Sequence, residues 1–177
     1  MTRATLMRHC DKTEERADAP LSALGFRQAE MIVPNLDQLG VDFIVTSPYL
    51  RAKQSVMPFI AATDIPVIED PRFAEWQLSG TLRDDWKDVL LTALANPDSC
   101  AEGGETATQA FKRSYDGLKD HRKKGHCLIV THGGLLTLLL AHFGRGRTME
   151  DLFALRSPDL FAVEGANWRM LDLPEFT

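Results

Sequence analysis

Three stretches of this sequence set residues capable of phosphorus chemistry directly after short apolar runs. Arg8-His9 follows the run at 4–7, Thr46-Ser47-Pro48 and then Arg51 follow the run DFIVT at 42–46, and His132-Gly133-Gly134 follows CLIVT at 127–131. If those runs are strands of an open α/β sheet, their carboxyl ends are where a ligand binds, so the three stretches converge. Convergence gathers two arginines, two histidines and the backbone N–H groups at the start of a helix around one point. Fixed positive charge with free donors is suited to a phosphate or a transferring phosphoryl group. A neutral histidine nitrogen can attack phosphorus and hold the phosphoryl group covalently. The chain has no carboxylate cluster with Mg²⁺ spacing and no His-x-His or Cys-rich set for Zn²⁺. The expectation is therefore a site without metal or other cofactor, in which arginine and histidine neutralise the charge.

The elements that must position these residues follow from periodicity. Strands are expected at 4–7, 42–46, 66–69 and 127–131, and a final pair at 160–164 and 167–173 turns at Gly165-Ala166. Ser22 is a plausible cap for a helix carrying Leu24, Met31, Ile32, Leu36 and Leu39, with Pro34 expected to kink or split it and Gly40 to end it. Further helices are expected at about 49–62, 84–95, from Thr106 to about 124 (Thr106 and Gln109 form a capping-box pattern), and 135–143. Strands alternating with helices imply a three-layer α/β/α sandwich around a mainly parallel sheet, with at least one antiparallel strand from the final hairpin. Residues 70–105 are the least regular and read as a small insertion over one end of the sheet.

Composition narrows the classes. The 177 residues fit one domain, spanning 1–177, with 44% hydrophobic and 25% charged residues, an ordinary soluble balance. A net charge of −5 argues against a nucleic-acid binder with a broad basic face. No segment approaches the roughly 20 apolar residues that span a bilayer, and MTRATLMRHCDK lacks a signal-peptide apolar stretch. Three cysteines, an odd number without metal-ligand spacing, make a reduced cytoplasm the expected location.

In their order along the chain, the motifs resemble those of the histidine phosphatase (phosphoglycerate mutase-like) superfamily. LMRHC at 6–10 is similar to its L-x-R-H-G signature, LSALGFRQAE at 21–30 to L-T-x-x-G-x-x-Q-A, and TSPYLRAKQSV at 46–56 to S-S-P-x-x-R-A-x-Q-T. FAEWQLSG at 73–80 resembles L-x-E-x-x-x-G, GGET at 103–106 resembles G-G-E-S, and VTHGGLL at 130–136 resembles V-S-H-G-G. The resemblance implies a phosphoglycerate mutase-like fold with His9 as the nucleophile that becomes phosphohistidine. It implies Arg8, Arg51, His132 and the Gly133 backbone as phosphoryl-binding groups. It also implies Glu75 as the acid that protonates the leaving oxygen, with Asp84 and Asp85 in reserve.

Some positions depart from the family pattern. Cys10 stands where the family usually has glycine, Lys12 where it has Ser or Thr, and Glu15 where it has Asn. The R-H-x-x-K form with D-x-P-L at 18–21 resembles a branch of small phosphatases. Lys12 is either a positive rim charge or a solvated loop lysine. A Cys10 thiol beside Arg8 and Lys12 is expected to favour thiolate and to oxidise readily. The basic block at 119–124 reads as helix C-terminal charge offsetting the dipole. The leading expectation is a phosphatase acting on a phosphorylated small molecule or a phosphoprotein. The alternatives are a phosphoglycerate mutase, for which the roughly 35 residues from Asp70 to Glu105 look short, and a phosphate-binding module without turnover.

Overall fold

Apolar runs that do not alternate with polar residues form strands covered on both faces, and the chain follows this rule. The computed structural model describes residues 3–16 and 18–176. Among these residues, β1 (Arg3–Arg8), β2 (Phe43–Thr46), β3 (Val67–Glu69), β4 (Cys127–Thr131), β5 (Asp159–Glu164) and β6 (Asn167–Leu171) form one sheet, in the order β3-β2-β4-β1-β5-β6. β3, β2, β4 and β1 run parallel, while β5 is antiparallel to both β1 and β6. The expected sandwich is therefore present, with its antiparallel part supplied by the closing hairpin.

Successive side chains leave the sheet on opposite faces. Ala4, Leu6, Phe43, Val45 and Ile129 point to the layer formed by α5 (Trp86–Ala95), α6 (Ala107–Arg122), α7 (Gly133–His142) and α8 (Met149–Phe153). Met7, Ile44, Leu128, Val130 and Leu160 point to the layer of α1 (Ala23–Met31), α2 (Val33–Asp37), α3 (Leu50–Gln54) and α4 (Met57–Thr63). α7 is apolar nearly all round, as a helix packed between the sheet and other helices must be. Thr106 and Gln109 form the expected capping box on α6, a cap worth about 1 kcal/mol. No helix among the described residues is long and apolar enough to cross a membrane.

Several expected boundaries move, for local reasons. Pro34 does split its helix into α1 and α2. The helix expected over 49–62 is broken into α3 and α4, because Pro58 lacks the N–H and its ring would clash with a carbonyl one turn back; it sits instead in the first turn of α4. The helix expected from 135 begins at Gly133, and the one expected from 84 begins at Trp86. α8 and a 3₁₀ turn at Pro71–Phe73 have no counterpart in the sequence reading. α8 is too short to show a period, although Thr148 and Asp151 form a second capping box there.

Candidate active site

Parallel register brings the three chemically equipped strand ends level. Arg8 lies opposite Thr131 and Thr46 opposite Val130. The ladder continues one step further, with the His9 amide donating to Thr131 O at 3.0 Å and the Ser47 amide to Val130 O at 2.9 Å. His9, Ser47 and His132 thus emerge side by side. The two imidazole rings stand edge to face at 5.2 Å between centroids.

The surroundings of His9 fix its tautomer. Its Nδ1 is 2.6 Å from the Cys10 carbonyl, which can only accept, so Nδ1 carries the proton. Nε2 therefore presents its lone pair, and the Arg51 Nε donates to it at 3.2 Å. Burial pushes the His9 pKa well below 6.5, the Cys10 carbonyl opposes that shift, and Arg51, Arg8 and Lys12 push it further down. His132 is held well below 6.5 by burial first and then by His9, Arg51, Lys12 and Arg8. Its Nε2 meets the Ser47 hydroxyl at 2.7 Å, while its buried Nδ1 has no hydrogen-bond partner.

The arginines are also desolvated. Arg51 is 2% exposed; its Nη1 donates to Arg16 O at 2.7 Å, and its guanidinium lies 4.9 Å from the centroid of the Tyr49 ring. Arg8 donates through Nη1 to Leu155 O at 2.5 Å, and its buried Nε has no partner. Gly133 allows that approach, since a Cβ there would lie 3.2 Å from Arg8 Cζ. Burial lowers the pKa of both arginines, and the charge of Glu75 partly restores it. Lys12 bonds Glu15 at 2.6 Å and contributes to the field felt by both histidines.

Residues of the matched motifs that the sequence reading gives no chemical role form the scaffold of the His9 loop. Ser55 Oγ accepts from the Cys10 amide at 2.8 Å and donates to Arg51 O at 2.7 Å. Gln28 accepts from the Asp11 amide, and Gln54 from the Leu21 amide, each at 2.8 Å. Ser22 caps α1 and donates to Asp11. Gly25 is required by proximity, because a Cβ there would lie 1.9 Å from the Asp11 carbonyl oxygen. The thiolate expected at Cys10 is not found. The thiol is fully buried in the apolar layer and burial pushes its pKa up to about 12, outweighing the Ser55 hydrogen bond that opposes the shift.

Glu75 lies across the start of α7. Its Oε1 accepts from the amides of Leu135 at 2.9 Å and Trp76 at 2.8 Å, and its Oε2 from Gly134 at 3.2 Å. A carboxylate at a helix N-terminus satisfies donors that would otherwise be orphaned. Two first-turn donors, the Gly134 and Leu135 amides, are thus engaged by Glu75, while the Gly133 amide is not among those it accepts from. Of the reserve acids, Asp85 is taken at both oxygens by Arg83 at 2.7 Å, and Asp84 is exposed. Among the described residues, no group of three or more His, Cys, Asp or Glu side chains could hold a metal ion.

The strand ends of this α/β fold gather two histidines and two arginines at one point. A family model described as the histidine phosphatase superfamily, branch 1, matches residues 4–166. The chain belongs to that superfamily. It is 28% identical over 186 residues to the uncharacterized phosphatase PhoE of Bacillus subtilis, covering 97% of this chain and 94% of that one. It is 26% identical over 153 residues to a Hydrogenobacter thermophilus protein provisionally named phosphoserine phosphatase 2, covering 77% and 75%. Its fold is similar to that of a mycobacterial glucosyl-3-phosphoglycerate phosphatase in complex with inorganic phosphate, with TM-score 0.78, 20% identity and coverage of 98% and 97%.

Ser47 and Tyr49 have no role in the sequence reading, yet both touch His132. The Tyr49 ring stands edge to face with it at 4.8 Å, and the Tyr49 amide donates to Ser47 Oγ at 3.2 Å. The signal available was their place inside the TSPYLRA match, four residues or fewer from Arg51.

Proposed function

We propose that this protein is a metal-independent phosphatase that hydrolyses a phosphomonoester or phosphohistidine through a phosphohistidine on His9. The observation that carries the proposal is the neutral His9, whose Nδ1 proton is tied to the Cys10 carbonyl and whose Nε2 lone pair lies under Arg51. In the first step Nε2 attacks phosphorus, the N–P bond forms, and the bond from phosphorus to the leaving oxygen breaks. Before that attack, as the substrate binds, Arg51 Nε gives up Nε2 for a phosphoryl oxygen and so frees the lone pair, and its planar fork binds that oxygen better than a lysine would. Arg8 Nε and His132 Nδ1, both buried without partners, supply further donors as charge spreads over the equatorial oxygens. The Ser47 hydroxyl, donating to His132 Nε2, keeps that proton on Nδ1.

Glu75 gives the leaving oxygen its proton, and Oε2 suits this role because it carries a single long amide contact while Oε1 carries two. In the second step water attacks phosphorus, Glu75 takes the water's proton, and the N–P bond breaks to restore the His9 lone pair. The substrate class is a phosphorylated small molecule or a phosphoprotein, with Lys12 a positive charge at the rim. Hydrolysis rather than mutase transfer is supported by the shortness of the segment at 70–105, read as a small insertion within one domain.

The test is turnover across phosphomonoesters, a phosphohistidine peptide and 3-phosphoglycerate, in the presence of excess chelator. Phosphate release that survives chelation and is inhibited by vanadate is the expected result. Activity abolished by chelation and restored by a divalent metal would overturn the proposal.

A further inference from the structure

Glu75 is held from two directions, and only one of them is the helix start already described. The main chain at and just before it is held by Arg113 of α6, whose guanidinium donates through every nitrogen, Nη1 and Nη2 to backbone carbonyls and Nε to Glu105. Nη1 donates to Arg72 O at 2.6 Å and Ala74 O at 3.0 Å, and Nη2 donates to Glu75 O at 3.3 Å. Nε donates to Glu105 Oε2 at 2.9 Å, and Nη2 also bonds Glu105 Oε1.

Glu105 completes the grip from the far side of the same loop. Its Oε1 accepts from the Gln77 amide at 3.2 Å, its amide donates to Gln77 O at 2.8 Å, and its carbonyl accepts from Trp76 Nε1 at 3.0 Å. The strand-like contact continues to Gly80, whose amide donates to Glu102 O at 2.9 Å. Gly103, at φ +71°, makes that approach possible, since a Cβ there would lie 2.7 Å from Gly80 Cα. The stretches 73–80 and 103–106 are therefore two halves of one device, anchored to a long, capped helix.

We infer that Arg113, oriented by Glu105, is a positioning residue that aims Glu75 at the leaving oxygen, an inference that rests on Glu75 being the acid. The Arg113 fork fixes the backbone at 72, 74 and 75, α7 amides fix the carboxyl end, and the side chain between them has little freedom. A planar fork reaches three carbonyls and a carboxylate at once; a lysine ammonium cannot span that set. Protonation of a leaving group depends on placement within hydrogen-bond reach, so loosening the backbone should cost proton transfer and spare phosphoryl binding.

The experiment compares Arg113→Ala, Glu75→Gln and the double variant on an alkyl phosphate and on p-nitrophenyl phosphate, whose leaving oxygen needs little protonation. Arg113→Ala is expected to lower kcat on the alkyl ester by about 10–100-fold, with KM and the aryl ester within about threefold. The double variant should lose no more on the alkyl ester than Glu75→Gln alone, because the two act on one step. Equal loss on both esters from Arg113→Ala, or additive losses in the double variant, overturns the inference while leaving Glu75 as the acid. Equal loss on both esters from Glu75→Gln overturns the acid assignment and the inference with it. If Arg113→Ala does not fold, Arg113→Lys and the isosteric Glu105→Gln put the same question. Each should show a smaller loss confined to the alkyl ester, and a loss shared by both esters overturns the inference.

Discussion

At the amino ends of β1 and β4, Arg3, Arg122, Lys123, Lys124 and His126 line a cleft of about 740 Å³ that also holds Glu164. At the carboxyl ends of the same strands, Arg8, Arg51, His9 and His132 form the candidate active site. The cations of the cleft are largely spent or solvated. Arg3 bonds Leu39 O at 3.3 Å and His126 Nδ1 at 2.8 Å, Arg122 bonds Gly165 O at 3.1 Å, Lys123 reaches Asp120 at 3.5 Å, and Lys124 is exposed. In water such charges are screened and attract an anion weakly. At the other end Arg51 is buried and Arg8 half-buried, and the buried donors Arg8 Nε and His132 Nδ1 lack partners. A buried, unmet donor gains far more from an anion than a solvated one does. Cation count favours the amino end; desolvation and unmet bonding favour the carboxyl end.

Charge removal at the two ends breaks or sharpens this comparison. Arg51→Ala should lower kcat/KM by on the order of 10²–10³, the usual cost of losing one donor at developing charge. Lys123→Ala combined with Lys124→Ala should leave kcat/KM within about twofold, because their field is screened. Similar losses in both variants would erase the distinction. Backbone packing gives the next effect: Gly25→Ala, which drives a Cβ into the Asp11 carbonyl, should cost about 3 kcal/mol in urea unfolding and slow turnover with it.

A smaller effect appears in stability against pH. In the fold His9 and His132 take up protons only well below 6.5, whereas the unfolded chain takes them up near 6.5. Between those values the unfolded chain binds more protons, so stability is lost as pH falls below about 6.5. His132→Asn should flatten that slope, and a melting temperature unchanged from pH 7 to pH 5 in the parent would contradict the desolvation of the pair. The smallest effect is on thiol reactivity. Maleimide should label exposed Cys100 in the native protein, and Cys10 and Cys127, whose thiols are pushed up to about 12 by burial, only after unfolding. Labelling is read by mass spectrometry.

The parts of this molecule legible in its sequence are those set by local pattern. CLIVT carries no charge and its one hydroxyl, Thr131, comes last, so its burial on both faces and the exit of His132 at its end follow directly. Pro34 splits its helix as its missing N–H requires. Pro58 went unread because the apolar spacing around it continues unbroken, and only backbone geometry separates α3 from α4. Arg113 is invisible for a different reason. Its partners are the carbonyls of Arg72, Ala74 and Glu75, far away in the chain, and carbonyls carry no residue signature. At Cys10 the sequence shows neighbouring charges but not burial, and burial is what raises the thiol's pKa. In a similar way Gly25, Gln28 and Ser55 read as loose motif letters until the His9 loop is seen resting on them.

The central claim, that His9 Nε2 becomes the phosphoryl carrier, is tested most directly by trapping. Enzyme mixed with a radiolabelled phosphomonoester is quenched in alkali during turnover, digested and mapped. The expected result is one labelled peptide carrying His9, stable to base and labile to acid, absent from His9→Ala, which should fold normally yet release no phosphate. A label on serine or aspartate, or a His9→Ala variant that still traps and turns over, would contradict the account.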